Sequence, residues 1–272
     1  MIKKENIVGS LIYFVPTHLR TKIKGVPILA ALQRALIKYL APKDQFVHRV
    51  DAGPAKGLKL LIRLPTDKNM WKGTYENDFC KRLHENVVQG DVCYDIGAFR
   101  GYTAGVLALA GAGSVLAFEP MPENQQTIKS VLSLNPDLRI DLFPMAVAGS
   151  VGEQSLEINS DRSMNKLGPI NAVKRSNVIR VKTVTVDWIA KQTQKWPSLL
   201  KIDVEGAEVS VLRGAVESLK KNVRSVFLEI HHTKAEDECR SILEKLGFKC
   251  KWKEHEWGRF ANQTMFEKKE VI

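Results

Sequence analysis

The chain has 272 residues, 44% of them hydrophobic and 26% charged, with a formal net charge of +11. That composition excludes intrinsic disorder, collagen and coiled coil, and fits one large domain or one domain with a small extension. No apolar run reaches the roughly 18 residues of a spanning helix, and Cys80, Cys93, Cys239 and Cys250 show no C-x-x-C spacing, so reduced core thiols of a cytosolic, cytoplasmic protein are expected.

Residues 1–50 carry nine Lys/Arg against Glu5 and Asp44, a local charge of +7, while 32 basic against 28 acidic residues leave +4 for the rest. These residues read as a basic N-terminal extension, and residues 51–272 as the main domain. Lys3 and Lys4 are followed by an apolar stretch that Pro16, His18 and Arg20 interrupt, which makes a poor signal peptide. Val26–Leu40 has the pattern of an amphipathic helix, with Gln33, Arg34 and Lys38 on its polar face. Its apolar face could dock on the main domain, the commoner outcome, or residues 1–40 could rest peripherally on an anionic membrane. Nucleic-acid binding would need the charge on a recognisable module, and none is found, so no nucleic-acid partner is expected. Oligomeric state is not readable.

Leu58–Leu64 reads as a strand ended by Pro65. Tyr75–Val88 reads as a helix, with Tyr75, Phe79, Leu83 and Val87 four apart and Gly90 closing it. From Asp91 strands and helices alternate, the pattern of a doubly wound α/β sheet. Strands are expected at Val92–Ile96, Ser114–Phe118, Ile140–Val147, Leu199–Val204 and Val223–Ile230. Helices are expected at Tyr102–Ala110, Glu123–Leu134, Glu208–Leu219 and about Ala235–Leu246, and strands Phe248–Trp252 and Phe260–Phe266 should form a terminal hairpin across His255–Gly258. Gln154–Ile158 and Val178–Val186 read as strands around a polar loop, Asn159–Asn177, long enough to suggest a lid.

Asp95-Ile-Gly97-Ala98-Phe99-Arg100-Gly101 follows a strand and opens a helix, where open α/β sheets bind ligands. Gly97 permits a tight turn and close ligand approach. At the end of the next strand Glu119, followed by Pro120, is placed to accept both hydroxyl protons of a ribose. The spacing D-x-G-x-x-x-G departs from the G-x-G-x-x-G of dinucleotide folds, and nothing sits in P-loop spacing. A nucleoside without a pyrophosphate fits, which suggests S-adenosylmethionine.

The sequence resembles the FkbM family of class I methyltransferases from about Lys72 to His232. The resemblance rests on Gly73-x-Tyr75-Glu76, Asp95-Ile-Gly-Ala, Phe118-Glu119-Pro120, Ala146 with Gly152 downstream, Val186-Asp187, Lys201-Ile-Asp203-Val-Glu205-Gly-Ala-Glu208 and Leu228-Glu229-Ile-His231. The Lys201–Glu208 block is the specific one. The family usually carries Asn at the position of Phe99 and an apolar residue at Arg100.

The resemblance implies a Rossmann-like, seven-stranded, mostly parallel sheet with an antiparallel last strand, a cofactor-binding core over about residues 91–232, and a C-terminal helix and hairpin over 233–272. It implies S-adenosylmethionine as cofactor and methylation of a hydroxyl oxygen on a small-molecule acceptor such as a sugar, glycan, lipid-linked or polyketide-type compound. Gly97 and Ala98, in the loop that ends at Gly101, should line the methionine moiety, and Asp95 should hold its ammonium directly or through water. Glu119, followed by Pro120, should bind the ribose, and Met145 and Ala146 should touch the adenine. Asp203, Glu205, Glu229 and His231 should surround the acceptor. His231 is the leading base because its unperturbed pKa lies near neutrality. A divalent cation, magnesium or manganese, on Asp203, Glu229 and His231 is the less favoured variant. Tyr75 and Glu76 should roof the cofactor or acceptor, or simply begin their helix. The competing readings are a non-catalytic partner protein that keeps the pocket, an NAD-dependent dehydrogenase and an RNA methyltransferase. The last two lack their motifs.

Overall fold

A computed structural model describes residues 45–158, 166–168, 178–231, 233–255 and 262–268. The helix expected at Val26–Leu40, the proposed lid apart from residues 166–168, and the tip of the terminal hairpin lie outside these residues. Within the described residues no helix is long and apolar enough to cross a membrane.

The described residues divide into two compact units, the first ending at Tyr75 and the second beginning at Glu76. In the first, β1 (Phe46–Arg49) pairs antiparallel with β2 (Lys59–Ile62), and a short helix α1 (Lys68–Lys72) follows. Gly53 and Gly73 bring two stretches of main chain together: a Cβ on Gly53 would lie 2.1 Å from the Gly73 carbonyl oxygen. His48 Nε2 lies 3.0 Å from the Trp71 carbonyl oxygen.

The second unit starts with α2 (Asn77–Asn86), which buries Phe79, Cys80 and Leu83. Next come β3 (Val92–Ile96), α3 (Tyr102–Leu109), β4 (Ser114–Phe118), α4 (Pro122–Leu134) and β5 (Ile140–Phe143). Beyond them lie β6 (Ala146–Val147), β7 (Gly152–Glu157), β8 (Lys166–Gly168) and β9 (Val178–Val184). The series closes with α5 (Val186–Thr193), β10 (Leu199–Ile202), α6 (Glu208–Arg213), α7 (Val216–Lys221), β11 (Ser225–Ile230), α8 (Thr233–Lys245), β12 (Phe248–His255) and β13 (Asn262–Lys268).

The main sheet has seven strands in the order β12-β13-β11-β10-β3-β4-β5. Pairings from β5 through β11 are parallel, and the last strand in the chain, β13, runs antiparallel between β11 and β12. This is the doubly wound sheet that the sequence implied. Its inner strands read as continuous apolar runs because helices cover both faces. One core cluster joins Ile96, Phe118, Ile202 and Leu228 of the sheet to Ile189, Leu212, Leu219 and Leu243 of the helices.

Three expectations need correction. Ile140–Val147 is two strands, because Met145 N–H turns back onto the Phe143 carbonyl at 2.8 Å and β6 leaves the main sheet. There β6 pairs in parallel with β9, in a second sheet ordered β6-β9-β7-β8. The helix expected over Glu208–Leu219 is broken at Gly214, where a Cβ would meet the Ala148 carbonyl oxygen at 2.5 Å. Asp187 then caps the second piece, accepting from Glu217 N–H at 2.9 Å and Ser218 N–H at 2.8 Å. The third is the strand expected over Val178–Val186, which ends at Val184 because α5, which the sequence reading did not include, begins there, with Thr185 Oγ1 accepting from Trp188 N–H at 3.0 Å.

Candidate active site

The carboxyl ends of β3, β4, β10 and β11 carry the residues singled out from the sequence. Gly97, just past β3, has φ +81, and a Cβ there would stand 1.8 Å from the Asp203 carbonyl oxygen. Only glycine allows the loop after β3 to press this closely on the chain leaving β10. Gly97 and Ala98 N–H groups both donate to the Phe118 carbonyl, at 3.1 and 3.0 Å, and Gly101, also left-handed, precedes α3.

Glu119 locks this loop from the neighbouring strand. Its Oε2 accepts from Phe99 N–H at 2.9 Å and its Oε1 from Met121 N–H at 2.8 Å. Burial raises its pKa to about 7, against the lowering effect of those hydrogen bonds and of Asn124. Of the four lone-pair sites of the carboxylate, the Phe99, Met121 and Asn124 donors occupy three, so one ribose hydroxyl can be received directly and a second only in exchange for a side-chain donor. Gln125 Nε2 donates at 3.0 Å to both the Glu119 and Pro120 carbonyls, which fixes the start of α4. Met145 packs on the main core, and Ala146 is buried in a smaller cluster with Met121, Leu156 and Val181.

Asp95 does a different job from the one expected. Its side chain is fully buried, Oδ2 accepts from Thr103 Oγ1 at 2.7 Å, and Lys201 Nζ lies 3.2 Å from Oδ1. It is committed inside the protein and not presented to a cofactor ammonium. Lys201, 2% exposed in an otherwise apolar strand, also donates to the Gly97 carbonyl at 2.7 Å and lies 3.5 Å from Asp203 Oδ2. Burial alone would lower its pKa; the charges of Asp95 and Asp203 outweigh that and hold the ammonium protonated. The sequence reading quoted Lys201 as part of a motif and gave it no role. The available signal was a lysine amid Leu199, Leu200 and Ile202.

The four residues expected around an acceptor do come together. His231 Nε2 lies 3.2 Å from Glu205 Oε1, 3.7 Å from Asp203 Oδ1 and 3.9 Å from Glu229 Oε1. Its Nδ1 lies 2.8 Å from Oε1 of Glu208, a fully buried side chain at the start of α6. Burial alone would lower the His231 pKa; the hydrogen bonds to Glu205 and Glu208 and the charge of Asp203 overcome it and carry the value up to about 10. The premise of a near-neutral base therefore fails: both ring nitrogens face carboxylates, and Nε2 can offer a lone pair only after giving up its proton. Glu229 is held up by burial and by the charges of Asp203 and Glu76, while Gln263 Nε2 donates to its Oε2 at 3.2 Å. Glu76 thus acts electrostatically on this cluster. Tyr75 belongs to the first unit.

Among the described residues four non-glycine residues have left-handed backbones, and three of them, Glu76, Phe99 and Glu205 (φ 43, 48 and 51), belong to this site. Each such residue costs about 1–2 kcal/mol, and strain of this kind collects where function fixes the main chain.

The sequence profile described as the Methyltransferase FkbM domain matches residues 95–250. The hexuronic acid methyltransferase AglP of Haloferax volcanii is 28% identical over 157 residues, 57% of this chain and 62% of that protein. Methyltransferase 1 of Beauveria bassiana is 24% identical over 200 residues, 61% of this chain and 80% of that protein. The solved methyltransferase FkbM of Methylobacillus flagellatus KT superposes with a TM-score of 0.49 at 18% identity, over 65% of this chain and 43% of that one. The chain thus spans less than two thirds of AglP and of the solved FkbM chain.

Proposed function

The chain belongs to the FkbM methyltransferase family, and from that premise we propose that it transfers a methyl group from S-adenosylmethionine to a hydroxyl oxygen of a sugar or glycan acceptor. The observation that carries the reading is the double role of Asp203. Its main chain abuts the Gly97 loop, and its side chain belongs to the polar cluster around His231. A ligand seated on that loop therefore ends beside that cluster.

In this reading the Gly97–Gly101 loop lines the methionine moiety and Glu119 takes the ribose hydroxyls. When bound, S-adenosylmethionine supplies a methyl on a cationic sulfur: the C–S bond breaks as the O–C bond forms, and a neutral thioether leaves. The chain's own task is alignment and proton removal, and positioning alone is worth effective molarities of roughly 10⁵ M or more. Asp203, Glu205 and Glu229 orient the acceptor hydroxyl, and its proton passes to a carboxylate of this set, because His231 is already engaged at both nitrogens. Support for a sugar acceptor comes from the likeness to a hexuronic acid methyltransferase.

Calorimetric titration with S-adenosylmethionine and its demethylated product, on the wild type and Glu119→Ala, tests the reading. Binding by the wild type that is lost in the variant is expected, followed by turnover in a screen opening with uronic acids and other sugars. No binding to the wild type would turn the assignment toward a partner protein. Asp203→Ala should lose turnover and keep cofactor binding; full activity in that variant would remove the acceptor-site assignment.

A further inference from the structure

We infer that Asp203, Glu205 and His231 form a binding site for a divalent cation of the manganese or magnesium class, with Glu208 as the group that orients the imidazole. The ligand set differs from the one the sequence suggested, because Glu205 takes the place of Glu229. One ligand atom from each of the three residues can be chosen so that all lie within 4.8 Å of one another. Ligands sharing an ion at about 2.1 Å sit about 3 Å apart when adjacent and about 4 Å when opposite. The Nε2–Oε1 and Nε2–Oδ1 distances of 3.2 and 3.7 Å fall in that span.

Two further observations point to a cation. The first is Glu208, fully buried, whose Oε1 lies 2.8 Å from the His231 Nδ1 and whose Oε2 has no hydrogen-bond partner. A carboxylate on the second nitrogen of an imidazole fixes the tautomer that turns Nε2 toward a metal. The second is charge. Asp203, Glu205 and Glu208 converge on one imidazole, and Lys201, 3.5 Å from Asp203, is shared with Asp95. Glu208 is buried and the other two carboxylates are largely withdrawn from solvent; charges so placed need partners, and a single ring cannot neutralise three carboxylates. Two carboxylate oxygens with one imidazole nitrogen suit a hard to borderline ion.

Glu229 lies outside the ligand set because it is farther from the ring, at 3.9 Å, and its other oxygen accepts from Gln263. The catalytic consequence rests on the methyl-transfer reading, while the binding claim does not. A cation here would hold the acceptor hydroxyl and ease loss of its proton.

The test titrates the full chain with Mn²⁺ alone and follows it by electron paramagnetic resonance. One ion per chain is expected, with ¹⁴N modulation from a directly bound imidazole in the pulsed spectrum, a readout that needs no variant. His231→Ala and Glu205→Gln should each weaken binding at least tenfold, and Glu208→Gln about tenfold through the ring. Glu229→Gln should change it less than threefold. Absence of stoichiometric binding, or binding without nitrogen modulation, overturns the site. A chain that binds S-adenosylmethionine and no Mn²⁺ would refute the inference and leave the methyltransferase reading standing; Mn²⁺ binding without cofactor binding would do the reverse.

Discussion

At the ends of β3 and β4 the site is made of main chain, whereas at the ends of β10 and β11 it is made of ionisable side chains. In the first region Gly97, Ala98, Phe99 and Met121 all spend their N–H groups within the protein, and the one carboxylate, Glu119, is a brace for them. In the second, three carboxylates and an imidazole crowd together with a fourth carboxylate behind them. The contrast teaches a division of labour. A surface that receives a chemically invariant cofactor can be fixed in backbone, while the side that handles a proton must keep groups able to change charge.

Lys201 is the joint between the regions, and breaking it should have the largest effect. Lys201→Met removes the partner of a fully buried Asp95 and frees the Gly97 carbonyl. The expected cost is about 3–5 kcal/mol in urea denaturation, since a buried charge is left without its partner. Adding Asp95→Asn, which keeps an acceptor for Thr103, should return part of that loss. A single variant as stable as the wild type would mean the two regions stand independently.

The next effect tests how tightly the regions touch. Gly97→Ala forces a Cβ against the Asp203 carbonyl oxygen at 1.8 Å and adds the left-handed penalty. A loss of about 2–4 kcal/mol, with cofactor affinity down more than tenfold, is expected. Gly101→Ala is the control, because the nearest neighbour of its Cβ is Ile128 Cγ1, at an ordinary contact distance of 3.4 Å. There the backbone penalty alone, about 1 kcal/mol, should appear in thermal melts. Equal losses at both positions would show that contact with Asp203 contributes nothing beyond backbone geometry.

The two regions were unequally legible in the sequence. Val92–Ile96 and Ser114–Phe118 were read to the residue, because an apolar run between turn residues leaves little choice for a buried parallel strand. Glu119 was legible for the same reason: its place follows from where a strand ends. The division of Ile140–Val147 was not, since β6 owes its place to pairing with Thr183 and Val184, distant in the chain. Nor was the break at Gly214, which depends on the approach of Ala148 and Thr185. At the charged end the sequence named the residues and missed their states. His231 looked like a base because a lone imidazole titrates near neutrality; the nearness of Glu205 and Glu208 to both nitrogens exists only in three dimensions. Lys201 was passed over because lysines in strands usually face solvent, and its partner stands on the neighbouring strand β3.

The smallest effect separates the regions by their response to pH. Glu119 has its pKa raised to about 7 by burial, so in the cofactor-free protein it is protonated below neutrality and ionised above. A carboxyl raised in the fold contributes stability that is full below its ordinary range and is lost as pH rises through about 7. Cofactor affinity should run the other way, because ribose hydroxyls donate best to the ionised form. Calorimetric titration with S-adenosylmethionine at pH 8 and pH 6 should therefore show binding weaker at pH 6 by up to about tenfold, the most that one group with a pKa near 7 can produce over that interval. In Glu119→Gln the difference should vanish while overall affinity falls, since the amide accepts on one side only. A pH dependence that survived in the glutamine variant would move its origin to the carboxylates at the ends of β10 and β11, and would mean that cofactor binding already senses the charged region.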